Sequence, residues 1–187
     1  MPLTFIRHGE KKYPNGKNIP GYPAHDPPLK ENQEAKIKKI TVDLISKYGK
    51  PEIIISSPFE RTRQTSKIMQ QYILKIYDYN CDIEIEKNIE EFLGHQKPAG
   101  LEADLYKDTS YYTKPKIGVE KVEQCRERII NFYHQLDKKR NIWFITHGIL
   151  MHFVYKDAMK RKKNFNYLEY FSLPPSVLHE FVNKNLP

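Results

Sequence analysis

Short apolar runs alternate along this chain with longer segments of helical period. Leu3 to Ile6 is mostly apolar and runs straight into Arg7, His8, Gly9 and Glu10. That pattern predicts a buried strand ending on a cation, an imidazole and a glycine that lets the backbone turn sharply. Lys11 to Pro28 is dense in Pro, Gly, Asn and Lys, which excludes a helix or central strand and predicts a loop. Ile37, Ile40, Leu44, Ile45 and Tyr48 then recur at helical spacing, predicting a helix from about Lys30 to Tyr48. Lys36, Lys38, Lys39 and Lys47 form its solvated face, and Gly49 and Pro51 stop it.

The run Ile53-Ile54-Ile55 within Glu52–Ser56 reads as a buried strand, and Ser56-Ser57-Pro58 turns the chain. A second helix is expected from about Glu60 to Tyr77, with Ile68, Met69, Tyr72, Ile73 and Ile76 as its apolar stripe. Asp82 to Glu86 alternates strictly, which predicts a half-exposed strand nearer a sheet edge. Residues 87 to 118 hold no sustained period and read as a long loop with one short helix around Leu101 to Lys107. A third long helix, about Val119 to Lys138, would bury Val122, Cys125, Ile129, Phe132 and Leu136. Asn141 to Thr146 is strand-like and leads directly into His147-Gly148 and a helix carrying Ile149, Leu150, Phe153 and Val154. Lys156 to Lys163 is expected as exposed basic surface, and Val177 to Val182, after Pro174-Pro175, as the last strand.

Strands alternating with helices imply an α/β fold with a mainly parallel sheet, right-handed crossovers and helices on both faces. At 187 residues one domain, 1–187, is expected, with loops inserted at about 11–28 and 95–118. The topology has a chemical consequence. Parallel strands deliver whatever follows them to one edge of the sheet, where ligands bind in open α/β sheets. The residues in those places are Arg7 and His8, Ser57 with nearby Arg61, and His147.

Composition narrows the setting. Thirteen prolines, 29% charged residues and a mean hydropathy of −0.71 fit a soluble globular protein with sizeable loops. No apolar run approaches the roughly 20 residues of a membrane span, and no signal-peptide pattern precedes the first strand, so a cytoplasmic setting is expected. Cys81 and Cys125 stand far apart, and no His pair has zinc-site spacing, so neither a disulfide nor a metal is expected. Net charge is +8, with a pI near 9.3. A basic surface attracts phosphates, nucleic acid or acidic lipid. However, the chain carries no recognisable RNA- or DNA-binding motif, and nucleic acid is not an expected partner.

Two guanidiniums beside two imidazoles suit a phosphoryl group. Arg matches its oxygens with a planar fork, and a neutral imidazole nitrogen can attack phosphorus. The remaining cations stabilise charge on the transferring group, and a carboxylic acid of raised pKa can protonate the leaving oxygen. Chemistry alone leaves open which histidine attacks. Glu90 and Glu91, shortly after the third strand, are candidates for the acid.

The chain resembles the histidine phosphatase superfamily, the phosphoglycerate-mutase-like enzymes. Arg7-His8-Gly9-Glu10 matches that family's R-H-G-E opening, Asp26-Pro27-Pro28-Leu29 loosely echoes its D-x-P-L segment, and Ser57 to Thr65 matches S-P-x-x-R-x-x-Q-T. Thr146-His147-Gly148 matches its second-histidine motif. The resemblance implies a three-layer α/β/α sandwich with an antiparallel edge strand, phosphoglycerate-mutase-like. It implies His8 as the nucleophile, with Arg7, Arg61 and His147 binding phosphate. It favours Glu91 over Glu90 as proton donor, with no cofactor and no metal. Arg63 falls about 200° of helix rotation from Arg61 and is expected to point to solvent.

Two departures argue against mutase activity. Lys11 and Lys12 stand where mutases carry Ser or Thr, and Glu91-Phe92-Leu93-Gly94-His95 replaces the mutases' E-R-x-Y-G-like segment. The expected activity is therefore hydrolysis of phosphate monoesters on a phosphorylated small molecule or phosphoprotein. A phosphoglycerate-type mutase and a catalytically silent basic nucleic-acid-binding or scaffold protein are the alternatives. Specificity would come from the loops at Lys11–Pro28 and His95–Lys116, where Lys11, Lys12, Tyr13, Tyr111 and Tyr112 could hold an anionic or aromatic substrate. Substrate identity and oligomeric state stay open.

Overall fold

The β-branched and aromatic runs do become strands, each too short to stand alone, and the central ones are buried by helices on both faces. A computed structural model describes residues 2–12, 26–91, 122–137, 139–174, 176 and 177. In chain order the strands are β1 (Leu3–Arg7), β2 (Ile53–Ser56), β3 (Asp82–Ile85), β4 (Ile142–Thr146) and β5 (Tyr170–Leu173). The helices are α1 (Glu34–Tyr48), α2 (Glu60–Tyr77), α3 (Val122–Gln135) and α4 (Gly148–Met159), with a 3₁₀ turn at Lys87–Ile89. The sheet order is β3-β2-β4-β1-β5, parallel except for β5, which runs antiparallel along β1 at the edge.

Side-chain alternation sorts the core into two layers. Leu3, Phe5, Ile53, Ile55, Ile142 and Phe144 face α3 and α4, while Ile6, Ile54, Trp143 and Ile145 face α1 and α2. Register places Phe5 between Phe144 and Phe171, and their rings stack at 4.7 and 5.1 Å. The alternating strand β3 lies at the other edge, as its pattern implied. Among the described residues no helix is long and apolar enough to cross a membrane.

The structure corrects several expectations. Among the described residues the last strand is Tyr170–Leu173, ahead of the prolines; Val177 is helical, and the rest of the strand expected at Val177 to Val182 lies outside the described residues. Only Phe171 and Leu173 of β5 are fully buried, so a four-residue edge strand offers two alternations, too few to stand out as a period. Helix α1 begins at Glu34 instead of Lys30 because Asn32 takes a left-handed conformation, φ 64°, which no helix continues through. Ile76 is exposed, since the apolar stripe of α2 closes at Ile73. Helix α3 ends at Gln135. The short helix expected at 101–107 lies outside the described residues, as do most of the two inserted loops.

Candidate active site

The strand ends meet as the parallel topology requires. Ladder bonding continues one residue beyond the strands: the amide of His8 donates to the Thr146 carbonyl at 3.0 Å, and that of Ser57 to the Ile145 carbonyl at 3.0 Å. His8, Ser57 and His147 are thereby set side by side at one sheet edge, all buried. The His8 and His147 rings lie 5.1 Å apart, edge to face. Gly148 packs closely against Arg7, and a Cβ at that position would sit 3.0 Å from the Arg7 Nε and Cζ.

Arg61 is the second residue of α2, and its guanidinium reaches back over the helix start into the cluster. Its Nε donates to His8 Nε2 at 3.2 Å, and an NH2 nitrogen stands 3.3 Å from His147 Nδ1. Asp26 holds it from the far side at 3.3 Å. The same carboxylate accepts the Glu60 amide at 2.8 and 3.0 Å, so it caps α2 from outside the helix. Thr65, one turn further on, receives the Gly9 amide at 3.1 Å, tying the loop after His8 to the same helix. Phe59 covers the guanidinium, 4.4 Å from its ring centre.

His8 Nδ1 lies 2.6 Å from the Gly9 carbonyl, an acceptor only. The proton of the neutral ring therefore sits on Nδ1, and Nε2 keeps its lone pair toward the cluster. His147 has both nitrogens engaged, Nε2 with Ser57 Oγ at 2.8 Å and Nδ1 with Glu91 Oε2 at 3.2 Å. Glu91 also approaches Arg61, at 3.6 Å. Glu90 instead turns its backbone carbonyl to Arg128 on α3. Arg63 is exposed and pairs with Glu60 at 3.7 Å, in line with its helical angle. Arg7 bonds the Phe165 carbonyl and lies against Tyr167, 4.3 Å from the ring centre. Tyr13, Tyr111 and Tyr112 lie outside the described residues.

Burial sets the protonation states. It pushes His8 well below the usual histidine value, and the charge of Arg61 pushes the same way. Burial also lowers His147, against the pull of Glu91. Glu91 stays below the usual carboxylate range although burial opposes it, because His147 and Arg61 hold its charge. Asp26 goes the other way, raised by burial to about 6 against the pull of Arg61.

These shifts predict a pH-sensitive fold. Unfolded histidines gain protons below about pH 6.5, whereas His8 and His147 stay neutral in the folded state. Stability therefore falls as pH drops from 7 toward 5, by up to about 1.4 kcal/mol per pH unit for each histidine. Asp26, whose folded pKa is raised, works in the opposite sense below about 6 and offsets part of the loss. Urea unfolding at pH 7 and pH 5 should show the drop, and His147→Asn should remove about half of the histidine contribution.

Donor atoms of His8, Glu91 and His147 fall within 4.8 Å of one another, a set that could ligate a metal. Arg61 already lies 3.2 to 3.6 Å from all three, so a cation entering there would meet a fixed positive charge. The arrangement suits an anion instead. Among the described residues, Arg7 Nε and Glu91 Oε1 are both buried with no hydrogen-bond partner, the kind of orphan that a ligand satisfies.

Asp26, Thr65 and Tyr167 were not singled out as site residues from the sequence, yet all three touch the cluster. A signal existed for Asp26, since a buried arginine calls for a counter-charge and the segment leading into the first helix supplies one.

Relatives with known structures share this fold. The mycobacterial glucosyl-3-phosphoglycerate phosphatase complexed with VO3 superposes with a TM-score of 0.64 at 17% identity, over 92% of this chain and 90% of that one. The protein histidine phosphatase SixA complexed with tungstate gives 0.59 at 14% identity, over 95% and 91%. The protein TTHB049 from Thermus thermophilus gives 0.59 at 21% identity, over 92% and 93%. Among curated proteins, none matches the chain in sequence. Residues 3–173 match the model of the histidine phosphatase superfamily (branch 1), and the chain belongs to that superfamily.

Proposed function

We propose that this protein hydrolyses phosphate monoesters through a phosphohistidine on His8, with Glu91 as proton donor and Arg7, Arg61 and His147 holding the phosphoryl group. The observation that carries this reading is the pair of buried orphans, the Arg7 Nε donor on the residue before a neutral His8 and the Glu91 Oε1 acceptor on a carboxylate that lies within 4.8 Å of that ring. A phosphate ester oxygen meets the first, and a proton shared with the leaving oxygen meets the second.

In the first step His8 Nε2 attacks phosphorus, the P–O bond to the alcohol breaks, and Glu91 gives its proton to the departing alkoxide. In the second step a water attacks the phosphohistidine, Glu91 takes the water's proton, the P–N bond breaks, and His8 regains its lone pair. His147 and Arg61 favour the carboxylate form of Glu91. A bound phosphate brings negative charge beside it and also occupies Arg61, and both effects raise its pKa toward the protonated form the first step needs. Stabilisation of the equatorial oxygens falls to Arg61, Arg7 and His147, which are fixed before substrate arrives.

The mycobacterial phosphatase is named for glucosyl-3-phosphoglycerate and SixA for protein histidine, two very different substrates. A carboxyl group in reach of the leaving oxygen supports an alcohol leaving group here. The test is a panel of phosphorylated compounds scored by phosphate release, with and without EDTA. Free phosphate should accumulate equally in both arms. A phosphorylated isomer in place of free phosphate would mark a mutase, and loss of activity with EDTA would overturn the metal-free mechanism.

A further inference from the structure

The segment that carries Glu91 has little structure of its own, a single 3₁₀ turn followed by Glu90 and Glu91. Its three carbonyls ahead of Glu91 are nevertheless all captured from outside. Arg128 on α3 donates one guanidinium nitrogen to the Asn88 carbonyl and another to the Glu90 carbonyl, the latter at 3.0 Å. Thr146 Oγ donates to the Ile89 carbonyl between them, at 2.6 Å. Arg128 and Thr146 thus grip three consecutive peptides of a segment whose next residue is the proposed acid. Thr146 is also the residue before His147, so one hydroxyl joins the acid's segment to the strand that presents its hydrogen-bond partner.

We propose that Arg128, with Thr146, is a positioning residue for proton donation: the fork on the Asn88 and Glu90 carbonyls fixes where the Glu91 carboxyl meets the leaving oxygen. This rests on the reading of Glu91 as the acid. A guanidinium is suited to the task, since its rigid fork holds two carbonyls two residues apart in one geometry. Lysine, with a single nitrogen, can hold one of them. Misplacing a proton donor by about 1 Å from a site away from the chemistry can cost on the order of 100-fold in rate.

The role separates from a merely structural one by leaving group. An alkyl phosphate needs its alkoxide protonated, whereas an activated aryl phosphate such as p-nitrophenyl phosphate expels a phenolate that is stable without a proton. Arg128→Met should lower kcat on an alkyl phosphate about 10- to 100-fold and on p-nitrophenyl phosphate less than about 3-fold. Arg128→Lys should recover part of the alkyl activity, and Thr146→Val should show the same selectivity in milder form. Because the two substrates are compared on one preparation, a partly unfolded sample leaves their ratio intact, and Thr146→Val serves if Arg128→Met does not fold.

Glu91→Gln is run alongside. If it shows the leaving-group selectivity and neither Arg128→Met nor Thr146→Val does, the positioning role is wrong while the acid assignment stands. If Glu91→Gln shows no selectivity, the acid assignment itself fails, and the positioning role with it. Equal losses on both substrates in the Arg128 and Thr146 variants would mean that the grip supports only the fold.

Discussion

Replacing His8 with alanine is expected to lower turnover by about four orders of magnitude or more, leaving background rates from binding alone. Among the described residues no neighbour is placed to substitute. His147 has Nε2 on Ser57 and Nδ1 on Glu91, whereas His8 Nε2 turns its lone pair to Arg61 Nε at 3.2 Å, a donor that a bound phosphoryl group would engage. His147→Ala should cost less, about 100- to 1,000-fold, as the removal of one donor to the transferring oxygens. Rapid quenching in alkaline denaturant, with substrate labelled in its phosphoryl group, distinguishes the two roles. The His147 variant should still trap label as an acid-labile, base-stable phosphoenzyme, while the His8 variant should trap none. Label retained in His8→Ala and lost in His147→Ala would reverse the assignment of nucleophile.

That experiment also addresses what the sequence alone left open. The convergence of His8, Arg61 and His147 was legible because parallel strands have only one carboxyl edge and β-branched runs announce strands. The choice between the histidines was not, since it depends on which nitrogen bonds a carbonyl, a matter of a few tenths of an ångström. Glu91 over Glu90 is likewise a question of chain direction after a 3₁₀ turn, where neither periodicity applies. Asp26 was read as part of a motif and not as a charge partner. Its partner lies 35 residues away, and only the packing of the loop end on the start of α2 brings the two together. β5 was missed for a different reason. Four residues at an edge, begun by Leu168 in a left-handed turn at φ 61°, carry too little pattern to outweigh the proline break that follows.

Arg61 should be the residue whose loss damages both activity and fold, by separable routes. Its guanidinium is the common neighbour of His8, His147, Glu91 and Asp26, at 3.2 to 3.6 Å. Arg61→Met is expected to lower kcat about 1,000-fold, with a smaller change in KM, because the fork acts mainly on charge that develops as the phosphoryl group transfers. The same substitution leaves the Asp26 carboxylate buried without its ion pair, a situation that costs on the order of 3 to 5 kcal/mol. Asp26 already has its pKa raised to about 6, and without Arg61 it rises further, so the penalty should be largest at pH 8 and shrink as Asp26 takes up a proton toward pH 5. Adding Asp26→Asn to Arg61→Met removes the stranded charge. The double variant should therefore recover most of the lost stability at pH 8, measured by urea unfolding, and none of the lost turnover. Recovery of turnover in the double variant would mean that Arg61 serves chiefly to neutralise Asp26. Failure to recover stability would mean that the cost lies in the contacts of Arg61 with the histidines and Phe59.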